Sequence, residues 1–249
     1  MQESNSNYPV QAAVKSLEIV LALHDETRMR VTDLANRLDM NKSTVHNHLR
    51  TLEVNGFVNK LGDEYELSLR FLEIGGKRRR DMEVFQNSRT HLDDLAEKSG
   101  ELANLLVEER GQGIYLYRTM GEQAIELPAF EGLHTQLHAT SLGKAILAHL
   151  PDDRVTQIVD QHGLPPVTEK TITDPEQLRE ELQDIRSEGV AYDDEEKLSG
   201  LRCVASPITT PDQEALGAIS ISAPTNRMKS DRFRTEIPDM VRSTANVIE

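Results

Sequence analysis

The side chains best placed to do chemistry fall in two parts of the chain. Between residues 41 and 54, Lys42, Ser43, His46, Asn47 and Arg50 gather on one side of a helical pattern whose other side carries Val45, Leu49 and Leu52. An asparagine amide can pair bidentately with adenine, while Lys, Ser, Arg and the neighbouring Thr44 suit phosphate oxygens, so this face offers what a major groove accepts. Any amphipathic helix has a solvated polar face, so the reading needs its context. Far downstream, Ser220 and Ser222 alternate with Ile219 and Ile221, which puts both hydroxyls on one face of a strand. Buried hydroxyls need partners, since each one left unpaired costs about 1–3 kcal/mol. A small polar ligand can supply them, and so can neighbouring loops.

Other constellations carry less. Cys203 is the single cysteine, which rules out an internal disulfide, and nothing beside it resembles a cysteine-protease signature. His134 and His138 are four apart, but the glutamate of a zinc-protease helix is missing and the segment reads as a loop. Adjacent carboxylates in Asp193-Asp194-Glu195-Glu196 do not converge on a cation, and calcium-loop spacing is absent; apart from Asp193 they read as a solvated turn. Gly111 and Gly113 make no phosphate-binding loop. No catalytic set emerges, and neither a cofactor nor a metal is expected.

The elements that must position these groups follow from periodicity. Val10, Val14, Leu17, Leu21 and His24 step at three and four, as do Ala13, Val20 and Leu23 nearby, predicting one apolar stripe on a helix of roughly four turns. Val31 to Leu38 forms a second helix with Thr32 as its cap, and Asn41 caps a third that Gly56 stops. Phe57 to Leu61 and Tyr65 to Leu67, joined through Gly62-Asp63-Glu64, read as a β-hairpin. Three helices and a hairpin make a winged helix-turn-helix, with the third helix reading bases. Beyond residue 90, alternation of period two predicts strands in 103–107, 113–117, 123–127, 202–206 and 218–222. Helices fall near 91–98, around Leu142 to Leu150, and from Asp174 to Gly189, with Asp174-Pro175 as its start. The C-terminal helix is split or kinked by Pro238. The whole is an α+β chain with a largely antiparallel sheet in its second part.

Charge divides the chain in the same place. Of 249 residues, 28 are Lys or Arg and 42 Asp or Glu; residues 1–90 hold 13 of each, and the remainder carries the entire net charge of −14. An acidic body repels a polyanion, so nucleic acid must be met by the first part, which also holds the basic run Lys77-Arg78-Arg79-Arg80. That run is either a solvated linker face or a phosphate contact. Arginine outnumbers lysine 19 to 9 amid abundant acid, a composition suited to concentrated salt and also found in ordinary acidic proteins. No apolar run approaches the ~20 residues of a membrane helix, and Met1 to Gln11 is polar without a signal-peptide stretch. A soluble, cytoplasmic protein is expected.

Several ordered motifs resemble one family. Leu34-Ala35, then Asn41 through Leu52 with its Lys42-Ser43-Thr44-Val45 opening, then Gly56-Phe57-Val58, is similar to the DNA-binding half of IclR-family transcription regulators. The chain departs at Asn47, where the family usually has Arg, and at Asn41, where Pro is common; both leave the helix intact and its base preference open. Leu137 to Ala148, Gly189 to Glu196, Gly200 to Ala205 and Ala218 to Pro224 resemble hallmarks of the family's effector domain. The resemblance spans roughly residues 10 to 248. It implies a winged helix-turn-helix domain over 1–70, a dimer-forming linker helix over 71–90, and a GAF-like effector-binding α+β domain over 91–249. It implies DNA contacts from Lys42, Ser43, Thr44, His46, Asn47 and Arg50. Carried over residue by residue, the effector pocket uses Asp193, Cys203, Ser220 and Ser222. Ala139 and Thr140 join it at a helix start, whose N–H groups favour an anion such as a small carboxylate or hydroxy acid. Partners are then a double-stranded operator, a small effector and further copies of the chain, as homodimer or homotetramer, because one winged helix reads few base pairs. The other reading is a small-molecule sensor whose first domain mediates protein assembly.

Overall fold

In the computed structural model, residues 8–248 are described. Most of the polar opening stretch, and Glu249, lie outside the described residues. The chain divides into two compact units, Met1–Arg78 and Arg79–Glu249.

In the first unit, α1 (Gln11–Asp25), α2 (Val31–Arg37) and α3 (Lys42–Val54) pack with a small antiparallel sheet of β1 (Met29–Arg30), β2 (Val58–Leu61) and β3 (Glu64–Leu67), ordered β1-β3-β2. Ile19, Leu23, Leu34, Val45 and Leu49 are sealed from solvent and meet Val58 and Tyr65 of the hairpin. Each such aliphatic side chain contributes about 1.5–3 kcal/mol by burial. α3 starts as its sequence dictates: the Asn41 side chain accepts the Thr44 N–H at 2.8 Å. It stops at Gly56, whose φ of +75° suits glycine, and the N–H groups of Gly56 and Phe57 return to the carbonyls of Glu53 and Leu52.

Two expectations for this unit are corrected. The buried face of α1 is Ile19, Ala22 and Leu23; Leu23 belongs to the expected stripe, whereas its Val10, Leu17 and Leu21 point outward, Leu17 and Leu21 at 62% and 63% exposure. Thr32 does not cap α2; that helix follows directly from Arg30, held extended by β1 pairing with β3.

Where one linker helix was expected over 71–90, there are two, α4 (Arg70–Arg80) and α5 (Glu83–Ser99). They part at an extended Met82, and the Gln86 side chain donates to the Arg80 carbonyl, satisfying a group that the break leaves open.

The second unit is built on one antiparallel sheet. Its strands are β4 (Leu102–Glu109), β5 (Gln112–Met120), β6 (His134–Thr135), β7 (Ala191–Asp194), β8 (Leu201–Thr209) and β9 (Ala215–Pro224), in the order β6-β5-β4-β9-β8-β7. Leu105, Val204, Ile219 and Ile221 pack on one face with α5 and α9 (Ile237–Ile248). Leu106, Ala191, Ala205 and Ala218 pack on the other with α6 (Ser141–Leu147), α7 (Asp152–His162) and α8 (Pro175–Glu188). Asp174 caps α8 through the N–H groups of Glu176 and Gln177, with Pro175 opening the helix. Residues 123–127 are loop rather than strand: the Gln123 N–H bonds the Gly100 carbonyl and its own carbonyl takes Arg227, which draws the segment out of the ladder. Pro238 sits in the first turn of α9, and the expected break is a single wide turn just before it, Arg232–Glu236. These elements form a winged helix-turn-helix followed by an α+β domain on an antiparallel sheet.

A bulge positions the site. On β4 and β5, Leu105 faces Tyr117 while Leu106 faces Tyr115, so Leu116 is an extra residue. The bulge inverts the parity of β5 and sends Tyr115 and Arg118, three apart, to the same face of the sheet.

Candidate functional site

The first candidate surface is α3. Lys42, Ser43, His46, Asn47 and Arg50 are exposed along one side, and Val45 and Leu49 are wholly buried on the other. Thr44 is half-buried, its N–H spent on the Asn41 cap. The Ser43 hydroxyl donates to the same Asn41 oxygen at 2.8 Å, and Arg50 reaches Glu53 of the next turn at 3.2 Å. Among the described residues, the side chains of Lys42, His46 and Asn47 make no hydrogen bond or ion pair, so their donors are available to an outside partner.

The second candidate is a cavity of about 210 Å³ on the α6 face of the sheet. Thr140, Asp193, Cys203, Ser220 and Ser222 all line it; Ala139 is fully buried and does not. Strand register explains the convergence. Arg118 lies opposite Asn104, and Asn104 opposite Ser220; one pair along, Ser222 lies opposite Cys203, and Cys203 opposite Asp193. Two polar rows thus cross the sheet, facing apolar walls from Leu127, Leu133 and Leu142.

The serine hydroxyls are not waiting for a first partner, contrary to the argument from burial alone. The Asn104 amide donates to Ser220 Oγ and Ser222 Oγ, each at 3.3 Å, and its carbonyl accepts Arg118 Nε at 3.1 Å. The Ser222 hydroxyl also bonds the Cys203 sulfur, while the Ser220 O–H remains able to donate. Asp193 Oδ1 accepts the N–H groups of Glu196 and Lys197 at 2.7 and 3.3 Å. Burial, then the charge of Glu196, pushes its carboxyl up to about 7. Burial, then Asp193, raises the Cys203 thiol well above its ordinary value, so at neutral pH it is a protonated thiol and a poor nucleophile. Thr140 caps α6 by accepting the Gly143 N–H at 3.0 Å.

Asn104, Tyr115, Arg118 and Lys197 also line the cavity, and sequence reasoning passed over them. An amide between two apolar residues of a buried strand, Ala103-Asn104-Leu105, was a readable signal. Tyr115 and Arg118 were hidden by the bulge. The acidic run after β7 differs from the solvated turn expected: Asp194 holds Arg202 at 2.7 Å, Glu195 holds Lys170 at 2.7 Å, and Glu196 is buried against Lys144 at 2.7 Å. His134 and His138 go to separate partners, the Gln112 side chain and the Pro165 carbonyl.

Residues 12–62 match the IclR helix-turn-helix domain, and residues 78–249 match the bacterial transcriptional regulator IclR C-terminal domain. The chain belongs to the IclR family. A probable HTH-type transcriptional regulator, ArcR of Halobacterium salinarum, is 30% identical over 100% of this chain and 97% of its own. The crystal structure of the Thermotoga maritima IclR superposes with a TM-score of 0.79 at 28% identity, covering 95% of this chain and 96% of that one. An IclR homologue from Microbacterium hydrocarbonoxydans, crystallised with 4-hydroxybenzoate, shares the fold with a TM-score of 0.82 at 21% identity, covering 96% and 98%. This member of the IclR family is therefore a transcriptional regulator rather than an enzyme. Among the described residues, no helix of this IclR-family chain is long and apolar enough to cross a membrane.

Proposed function

We propose that the chain acts in the cytoplasm, binds a palindromic DNA operator through α3 as a dimer or a dimer of dimers, and adjusts that binding to a small organic acid held in the cavity. The observation that carries the DNA half is the free polar face of α3, with Lys42, His46 and Asn47 unengaged above a fully buried Val45 and Leu49. Asn47 is the base-reading amide, and Lys42, Ser43, Thr44 and Arg50 hold phosphates, with His46 beside them. The outward apolar residues of α1, Leu17 and Leu21, support self-association of the first unit. They equally suit a sensor whose first unit serves assembly, and DNA binding separates the two.

The effector half rests on the cavity lined by Thr140, Asp193, Cys203, Ser220 and Ser222. Hydroxyl, thiol and protonated-carboxyl donors around a mostly apolar pocket suit a small carboxylate or hydroxy acid. The 4-hydroxybenzoate bound by the Microbacterium relative is of that class. The test is a gel shift with DNA from upstream of the gene itself. Asn47→Ala should lose about 1–3 kcal/mol of specific affinity, the value of one bidentate base contact, with little change toward random DNA. Ser43→Ala should weaken both alike. Wild-type behaviour in both variants would remove α3 from the interface.

A further inference from the structure

The cavity is cationic at both ends. Arg118 stands on β5, and Lys197 follows β7; in the sheet these strands are separated by β4, β9 and β8. β7 is an edge strand of the sheet and β5 neighbours the other edge strand, β6, yet both side chains line one pocket. Neither cation has a carboxylate within ion-pair distance among the described residues. Arg118 spends Nε on Asn104 and Nη1 on the Ala129 carbonyl, and its guanidinium carbon lies 5.7 Å from the centre of the Tyr115 ring. Lys197 Nζ makes no hydrogen bond among the described residues, and burial disfavours its charge. The Tyr115 hydroxyl likewise has no partner among them; burial pushes it up to about 12, which keeps it a donor at every physiological pH.

Two half-buried cations and a free phenol around one cavity leave more donor capacity than a single carboxylate can use. Asp193 is the acid nearest to hand, and burial favours its neutral form. From this geometry we infer that the effector carries two anionic groups, one met by Arg118 with Tyr115 and the other by Lys197, with Ser220 donating between them. A small dicarboxylate is the matching class. The inference rests on the cavity being the effector site, and its test keeps the two apart.

Full-length protein is titrated calorimetrically with succinate, glutarate and adipate, and with the monocarboxylates of equal carbon number. At least one diacid should bind about tenfold or more tightly than its monoacid, the advantage expected of one further desolvated charge pair. Lys197→Met should shrink that ratio toward one, and Lys197→Arg should restore it; Arg118→Gln provides a second reading should Lys197→Met fold poorly. Equal binding of mono- and diacids, with both weakened by Ser220→Ala, overturns the two-anion inference and leaves the effector pocket standing. Binding indifferent to Ser220→Ala, Lys197→Met and Arg118→Gln moves the ligand elsewhere and overturns both. Absence of binding by every acid also overturns the inference.

Discussion

Lys144 offers the sharpest test of how the cavity is held. It lies on α6 with a fully buried side chain, and its ammonium bonds Glu196 Oε1 at 2.7 Å and a Glu181 carboxylate oxygen on α8. Glu196 in turn gives its N–H to Asp193 in the pocket wall. Replacing Lys144 by Met keeps the aliphatic stem and removes the charge, leaving Glu196 buried at 8% exposure beside a second carboxylate. Breaking a buried pair from one side costs about 3–5 kcal/mol. For a domain of this size each kcal/mol moves Tm by about 2–4 °C, so Lys144→Met should lower Tm by roughly 6–20 °C at pH 8. The penalty has a pH signature. Burial already raises the Glu196 carboxyl above its ordinary value, and Lys144 is what opposes that rise. Without Lys144 the carboxyl rises further, so its cost is greatest where it must ionise and fades as falling pH protonates it. Thermal unfolding at pH 8 and pH 5, in the single variants Lys144→Met and Glu196→Gln and in the double variant, reads both effects, and the double variant should recover part of the loss. A Tm within about 2 °C of wild type at pH 8, or a loss as large at pH 5, would refute a dry ion cluster behind the pocket.

Asp193, with its carboxyl raised from 3.8 to about 7, favours the folded state most below its unfolded value and loses that contribution as pH climbs to about 7. Urea midpoints should therefore decline from pH 4.5 to 7.5 more steeply in wild type than in Asp193→Asn, and parallel curves would count against the buried carboxyl. The net charge of −14, concentrated in the second part of the chain, predicts self-repulsion that salt relieves, so Tm should climb between about 0.1 M and 2 M KCl; a flat profile would contradict it. A methyl group on Gly143 would meet the Leu137 carbonyl oxygen at 2.1 Å, a backbone atom without freedom to retreat, so Gly143→Ala should cost about 3 kcal/mol or more in urea unfolding. A near-neutral value would mean that α6 can shift.

Legibility in the sequence followed the strength of local chemistry. Asn41 and Gly56 mark the ends of α3 because a side-chain cap and a positive φ act within a few residues. The start of α8 at Asp174-Pro175 was readable for the same reason. α1 is legible only in part because its apolar residues spread over more than one stripe, and packing against α3 and the hairpin selects Ile19, Ala22 and Leu23. Ser220 and Ser222 share a face by strand parity alone. Asn104 stands out as an amide in an apolar strand, but its pairing with these serines depends on the register of β4 with β9, and Tyr115 with Arg118 required a one-residue bulge that leaves no mark in an alternation pattern. Long-range register, not residue type, is what the linear pattern withholds.

The basic run shows how the same logic bears on regulation. Lys77 to Arg80 read as one patch, yet the chain treats its members differently. Arg79 opens the second unit, and within it Nη1 donates to the Leu116 carbonyl at 3.2 Å and approaches Glu131 at 3.9 Å, while the guanidinium lies 4.9 Å from the centre of the Phe85 ring. Its Nη1 and the face of its guanidinium are thus engaged within the second unit, while Arg78 and Arg80 stay exposed. Glu131 belongs to the loop that also supplies Leu127, Pro128 and Ala129 to the cavity wall, and Leu116 is the bulge residue between Tyr115 and Arg118. Under the proposed function, a ligand that draws on Arg118 would act on the strand and loop that contact Arg79. An effector can alter DNA affinity only by its differential affinity for two arrangements of the protein. Arg79 contacts Leu116, next to Tyr115, and Glu131, two residues beyond Ala129, and both Tyr115 and Ala129 line the cavity.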